Sequence, residues 1–177
     1  MNGLAKKAFL AIKEIFITCV WALAVALFFN CLILVSAAVP TESMMPTLNP
    51  GDRMIDTRFS YWFANPERGD VIVFWAPDED NIRYVKRVIG LPGETVELRA
   101  GKLYIDGVFT DAFAQLDTVT AGDWGPYAVP ENAYFVMGDN RNHSWDSRFW
   151  SNTFVLRKAI LGKVTLRYWP SFTWFHK

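Results

Sequence analysis

The sequence predicts a mainly β protein, an antiparallel barrel- or sandwich-like domain carried on one N-terminal transmembrane helix. Residues 15–39 are twenty-five in a row without a formal charge. At 1.5 Å of rise each they would make a helix of about 37 Å, against a hydrocarbon core of about 30 Å. After Pro40 the text changes to short alternating runs broken by Gly, Pro, Asn and Asp, the pattern of half-buried strands. The body shows no sustained helical period, internal repeat or low-complexity tract.

Three segments follow. Residues 1–14 form a basic tip with Lys6, Lys7 and Lys13, which the positive-inside rule keeps in the cytoplasm. Residues 15–39 form the span, and residues 40–177 the body on the far side of an inner (cytoplasmic) membrane, in the periplasm if the source is Gram-negative. A cleaved secretory signal is the competing reading, because Val35-Ser36-Ala37 and Ser36-Ala37-Ala38 resemble small-residue cleavage sites. Such signals have shorter apolar cores of about 7–15 residues, which favours the uncleaved anchor. In the body, strands are expected near 53–59, 70–76, 82–89, 94–98, 102–105, 133–137 and 159–169. Asn65-Pro66, Ala76-Pro77-Asp78, Leu91-Pro92-Gly93, Ala100-Gly101 and Asp106-Gly107 supply turns between them.

Eighteen basic and eighteen acidic side chains cancel, so the chain lacks the net positive field with which nucleic-acid binders neutralise phosphates. Cys19 and Cys31 both lie in the span, and His143 and His176 are the only histidines. No Cys/His zinc spacing can be assembled from these, and no metal or other cofactor is expected. The body holds Trp62, Trp75, Trp124, Trp145, Trp150, Trp169 and Trp174. Some of these fill the core, and others are expected to form a patch at the phospholipid bilayer surface, where indole rings favour the headgroup region.

Chemistry concentrates in three stretches. PTESMMPTLNPGDRM, residues 40–54, places Ser43 just after the apolar segment and stops any helix at Pro46. A serine hydroxyl needs a base before it can attack, and His143, a carboxylate or a neutral lysine could serve. In IRYVKRVIG, residues 82–90, the period of two puts Tyr84, Lys86 and Val88 on one strand face, and Arg83, Val85 and Arg87 on the other. Lys86 is thus the cation with largely apolar neighbours on its own face, and desolvation would lower its pKa. The third stretch, GDNRNHSWDSR at 138–148, is a polar loop after an apolar run.

In this order the three stretches resemble bacterial type I signal peptidase, the membrane-anchored Ser-Lys endopeptidase that removes signal peptides from exported proteins. The matching segments are residues 43–48, 83–87 and 138–148, and with the anchor the resemblance covers most of the chain. It implies Ser43 as nucleophile and Lys86 as neutral general base. The oxyanion would be held by the Ser43 N–H and the Thr41 hydroxyl. Ser144 would orient the Lys86 amine, and Asp146 and Arg148 would support the site as an ion pair. Gly138, Asp139 and Asn140 would shape the turn. A signal peptide, the implied partner besides the bilayer, would pair in extended form beside Ser43 and Lys86. Val39, Pro40, Met44, Leu48, Tyr84 and Val85 would line pockets for small side chains at positions −1 and −3. Two departures stand out: a compact single-span form, without the second membrane helix and inserted subdomain of some Gram-negative members, and the bulky Trp145 inside the third motif.

Other functions fit parts of this pattern. A Ser-Lys peptidase dedicated to one client, such as a pilin of a conjugation or secretion system, would use the same dyad. A Ser-His-Asp hydrolase would pair Ser43 with His143, although the chain has no Gly-x-Ser-x-Gly elbow. A membrane-tethered binding domain, an inactive homologue, would need neither.

Overall fold

The computed structural model describes residues 3–32, 34–110 and 120–175. Helix α1 runs Gly3–Leu32 and contains a 20-residue stretch, Phe9–Phe28, with a mean hydropathy of 2.0. Ile15, Phe16 and Trp21 are among its exposed apolar side chains. The body covers none of this stretch, which is long and apolar enough to cross a membrane.

The helix stops earlier than the apolar run does. Residues Leu34–Ala38 form strand β1, paired antiparallel with β2 (Arg53–Thr57) from Leu34↔Thr57 to Ala38↔Arg53. The end of the stretch expected to be helical through Val39 therefore belongs to the sheet. The edge of β2 presents N–H and C=O groups that need partners, and five residues of apolar chain supply them.

The remaining strands are β3 (Val71–Trp75), β4 (Arg83–Gly90), β5 (Thr95–Arg99), β6 (Lys102–Ile105), β7 (Val108–Thr110), β8 (Trp124–Ala128), β9 (Ala133–Met137), β10 (Val155–Leu156), β11 (Ile160–Trp169) and β12 (Thr173–Trp174). All seven strands expected from the alternating runs are present. They pair antiparallel in two sheets, β1-β2-β11-β3-β4-β9-β10 with β12 on β11, and β7-β6-β5-β8. Among the described residues neither path returns on itself, so the barrel alternative resolves as open sheets rather than a closed barrel. Ala100-Gly101 and Asp106-Gly107 take positive φ at both positions, 48° and 78°, then 52° and 77°. These are the backbone angles of the tight hairpin turns joining β5 to β6 and β6 to β7.

β3 lies centrally and is buried on both faces. Ile72 and Phe74 pack with Val88, Tyr134, Val136 and Trp150, while Val71 and Val73 pack with Val39, Met44, Leu48, Met54 and Val164. Each such side chain contributes about 1.5–3 kcal/mol by leaving water. A third cluster, including Ile89, Val96, Leu98 and Phe135, lies under the small sheet. Gly90 makes this junction possible, because a Cβ there would meet Val96 Cγ2 at 2.4 Å. Of the tryptophans, Trp150 is core, whereas Trp62, Trp145, Trp169 and Trp174 are exposed.

Candidate active site

Ser43 sits in a short 3-10 helix, Glu42–Met44, within a loop whose ends are tied together. The Val39 N–H donates to Asp52 O at 3.0 Å and the Gly51 N–H to Val39 O at 2.9 Å. Gly51 takes a φ of 88°, which favours glycine at the closing turn. Met44 and Leu48 anchor the loop from within, 1% and 0% exposed. Pinned on both sides, Ser43 has little freedom to move.

Lys86 occupies β4 opposite Ile72 and is only 4% exposed. Its Nζ donates to Ser43 Oγ at 2.6 Å, and Thr41 Oγ1 lies 3.2 Å from the same oxygen. Burial lowers the lysine pKa from 10.5 to about 8. The Asp146 and Asp139 carboxylates oppose that shift and the Arg148 guanidinium aids it. A lysine held in this range is neutral in part at physiological pH, and once neutral it accepts a proton from the hydroxyl it touches.

Loop 138–148 closes over this pair. The Asn140 N–H donates to Ser43 O at 3.1 Å, and Asn140 Nδ2 to Glu42 O at 3.2 Å. Gly138 packs where no side chain fits: a Cβ would lie 2.2 Å from Ser144 Oγ and 2.4 Å from Ser43 O. The Asp146–Arg148 pair is formed and buried, with Arg148 Nε to Asp146 Oδ1 at 2.8 Å and Arg148 Nη2 to Asp146 Oδ2 at 2.9 Å. Asp146 Oδ2 also accepts from the Gly138 N–H at 2.9 Å. The Ser144 contact differs from expectation. Its Oγ is buried without a hydrogen-bond partner among the described residues, so the bond to the Lys86 amine is not made in this geometry.

A second buried network was not anticipated from the sequence. Asp139, 0% exposed, accepts from Arg87 Nε at 2.7 Å, Arg87 Nη2 at 2.5 Å and Thr47 Oγ1 at 2.5 Å, and Arg87 Nη1 donates to Gly69 O at 2.7 Å. It fastens the Ser43 loop, β4 and loop 138–148 at one point. The signal available in the sequence was the aspartate of Gly-Asp-Asn, since a buried carboxylate requires a cation or several donors.

The pair opens on a groove of about 390 Å³. Val39, Pro40, Met44, Met54, Val73, Tyr84 and Val85 line it, with Ile82, Arg83, His143 and Trp145. Leu48, expected in the same wall, lies behind it in the core. Along one side β4 offers unpaired backbone, because it pairs with β3 from Arg83 onward but with β9 only from Arg87. Such an edge can accept an extended peptide. His143 is exposed, with Nδ1 3.2 Å from Asn140 Oδ1, whereas Ser43 Oγ meets Lys86 and Thr41. A larger cavity of about 630 Å³ between Trp75, Pro130 and Leu156 has no acidic or basic side chain in its lining.

A serine, a buried lysine and an open strand edge are the parts of a peptide-cleaving site, and relatives carry that chemistry in their names. The profile of the family described as signal peptidase, peptidase S26, matches residues 12–169. The signal peptidase I of Leptolyngbya laminosa is 43% identical over 140 residues, 75% of this chain and 67% of that protein. The probable signal peptidase I-2 of Synechocystis sp. is 39% identical over 137 residues, 75% of this chain and 62% of that protein. The chain thus spans about two thirds of the length of these relatives. A solved signal peptidase I from Enterococcus faecalis V583 is 38% identical, with a TM-score of 0.50 over 58% of this chain and 98% of that one. The match over 158 consecutive positions, 12–169, takes in the anchor's apolar run, the Ser43 loop, β4 and loop 138–148, and the chain belongs to the S26 family of signal peptidases.

Proposed function

We propose that the protein is a membrane-anchored serine endopeptidase that cuts signal peptides from exported proteins after small residues at −1 and −3. The observation that carries this reading is the 2.6 Å contact between Ser43 Oγ and the nearly inaccessible Lys86 Nζ. With its proton lost, Lys86 accepts the Ser43 proton while Oγ bonds to the carbonyl carbon of residue −1. The resulting oxyanion accepts from the Ser43 N–H and the Thr41 hydroxyl, donors worth a few kcal/mol each at the transition state. Lys86 then gives the proton to the departing amine, and later draws one from the water that releases the acyl group. Asp146 and Arg148 hold loop 138–148 against the pair.

Substrate lies extended along the open edge of β4. Val39, Pro40, Met44, Tyr84 and Val85 wall shallow apolar pockets that admit only small side chains. The three lysines before the span keep the N-terminus in the cytoplasm, so the body works on the far face of the membrane. There the end of a bilayer-embedded signal peptide reaches Ser43.

The test is cleavage of a precursor with an Ala-x-Ala site by the full chain in detergent, compared with Ser43→Ala and Lys86→Ala. Each variant is expected to lose at least about a thousandfold in kcat. Equal cleavage by all three would sink the assignment.

A further inference from the structure

The groove has two chemically different sides. One is walled by Val39, Met44, Met54 and Val73, which belong to the large-sheet core. On the other, Trp145 stacks on Phe149 with ring centroids 5.2 Å apart and planes 14° from parallel. Phe149 in turn meets Trp124 edge-on at 4.7 Å, and Trp124 packs on the small-sheet core. The Arg148 guanidinium, fixed by its ion pair with Asp146, lies 5.0 Å from the Phe149 ring centre and 5.9 Å from that of Trp124. The three rings therefore form a braced stack, yet Trp145 remains 58% exposed. An indole that packs one face on a fixed ring and leaves much of itself open is a preorganised surface for another flat or bulky apolar group.

The direction of a bound peptide follows from the chain. In chain order β1 follows α1 and leads into Val39, so the side of the groove built on Val39 and Met54 is the one contiguous with the anchor. The part of a substrate still joined to its membrane-embedded segment occupies that side, and the residues after the cut run past Ser43 toward Trp145. We infer that Trp145 is a specificity-determining shelf for the first two residues of the mature protein, favouring aromatic or large apolar side chains there. The inference rests on the peptidase reading and deepens it, because it assigns the side of the scissile bond that the small-residue pockets leave undefined.

Two sets of precursors differing only at +1 and +2, with Phe or Ser in turn at each position, test it on the full chain in detergent. Wild type is expected to favour Phe at one of the two positions by about two- to tenfold in kcat/KM, the range of one aromatic contact. Trp145→Ala abolishes that preference through KM, and Trp145→Phe retains part of it. The shelf is refuted if wild type cleaves the Phe and Ser precursors equally well, or if Trp145→Ala slows both by the same factor, as a merely structural residue would. Failure of wild type to cut any precursor overturns the peptidase reading itself, a result distinct from either.

Discussion

Replacing Lys86 by Met should abolish cleavage and at the same time make the protein more stable. Folding takes this lysine from a pKa of 10.5 to about 8, because burial penalises its charge. At pH 7 it is protonated in both the unfolded and most of the folded chains, so the native state bears the penalty. At about 1.4 kcal/mol per pH unit, that penalty is about 3 kcal/mol. The sign follows from proton counts: between pH 8 and 10.5 the unfolded chain binds more protons, so stability rises with pH and the penalty fades. Methionine fills a similar volume without charge, but it forfeits the 2.6 Å charge-assisted bond to Ser43, a loss of about 2 kcal/mol. The net gain at pH 7 is about 1 kcal/mol, or roughly 3 °C in Tm for a domain of this size. Urea unfolding of both proteins in mild detergent, followed by tryptophan fluorescence, measures it. Wild type should gain on the variant as pH rises from 8 to 10.5, and its kcat/KM should climb about tenfold between pH 7 and 9 as Lys86 becomes neutral. A variant less stable than wild type at pH 7, or a difference that ignores pH, would refute the claim that burial tunes this lysine.

Two further substitutions probe the frame around the dyad. Gly138→Ala forces a methyl to within 2.4 Å of Ser43 O and 2.2 Å of Ser144 Oγ, so thermal unfolding should show a loss of about 1–3 kcal/mol, and kcat should fall about a hundredfold as the nucleophile shifts. Thr41→Val removes a hydroxyl 3.2 Å from Ser43 Oγ, and steady-state kinetics should show kcat reduced about a hundredfold with little change in KM, while Thr41→Ser keeps most activity.

The Ser43 and Lys86 pairing was legible through the resemblance carried by three ordered motifs; local pattern supports it but by itself leaves His143 and the carboxylates open as bases. Pro40 and Pro46 bracket Ser43 and exclude a long helix, and a strand period of two is enough to give Lys86 an apolar face. What the sequence concealed depends on contacts far along the chain. Thr47 and Asp139 are 92 positions apart, and nothing near either announces the other. Leu48 reads equally well as pocket wall or core until the position of Met44 and Val164 beside it is known. β8 was missed because Pro126 interrupts its pattern; it is tolerated because, among the described residues, β8 is an edge strand that pairs only with β5. β1 was hidden differently, since Leu34–Ala38 has the composition of the helix before it and only the waiting edge of β2 decides its conformation.

The least obvious demand on the site is electrostatic. Two carboxylates, Asp146 and Asp139, act on Lys86, and both favour its charged form. A carboxylate with no partner of its own would stabilise the charged amine further and oppose what burial does to the lysine. Neither carboxylate is alone. Arg148 pairs with Asp146 at 2.8 Å and Arg87 pairs with Asp139 at 2.5 Å, and the Arg148 guanidinium offsets part of what the carboxylates do to Lys86. The same ion pairs also fasten loop 138–148, through the Gly138 N–H and the Thr47 hydroxyl, to the segment that carries Ser43. Buried pairs of this kind are poor sources of net stability. Their value here is that they fix the loop without supplying the unpaired negative charge that would keep the base protonated.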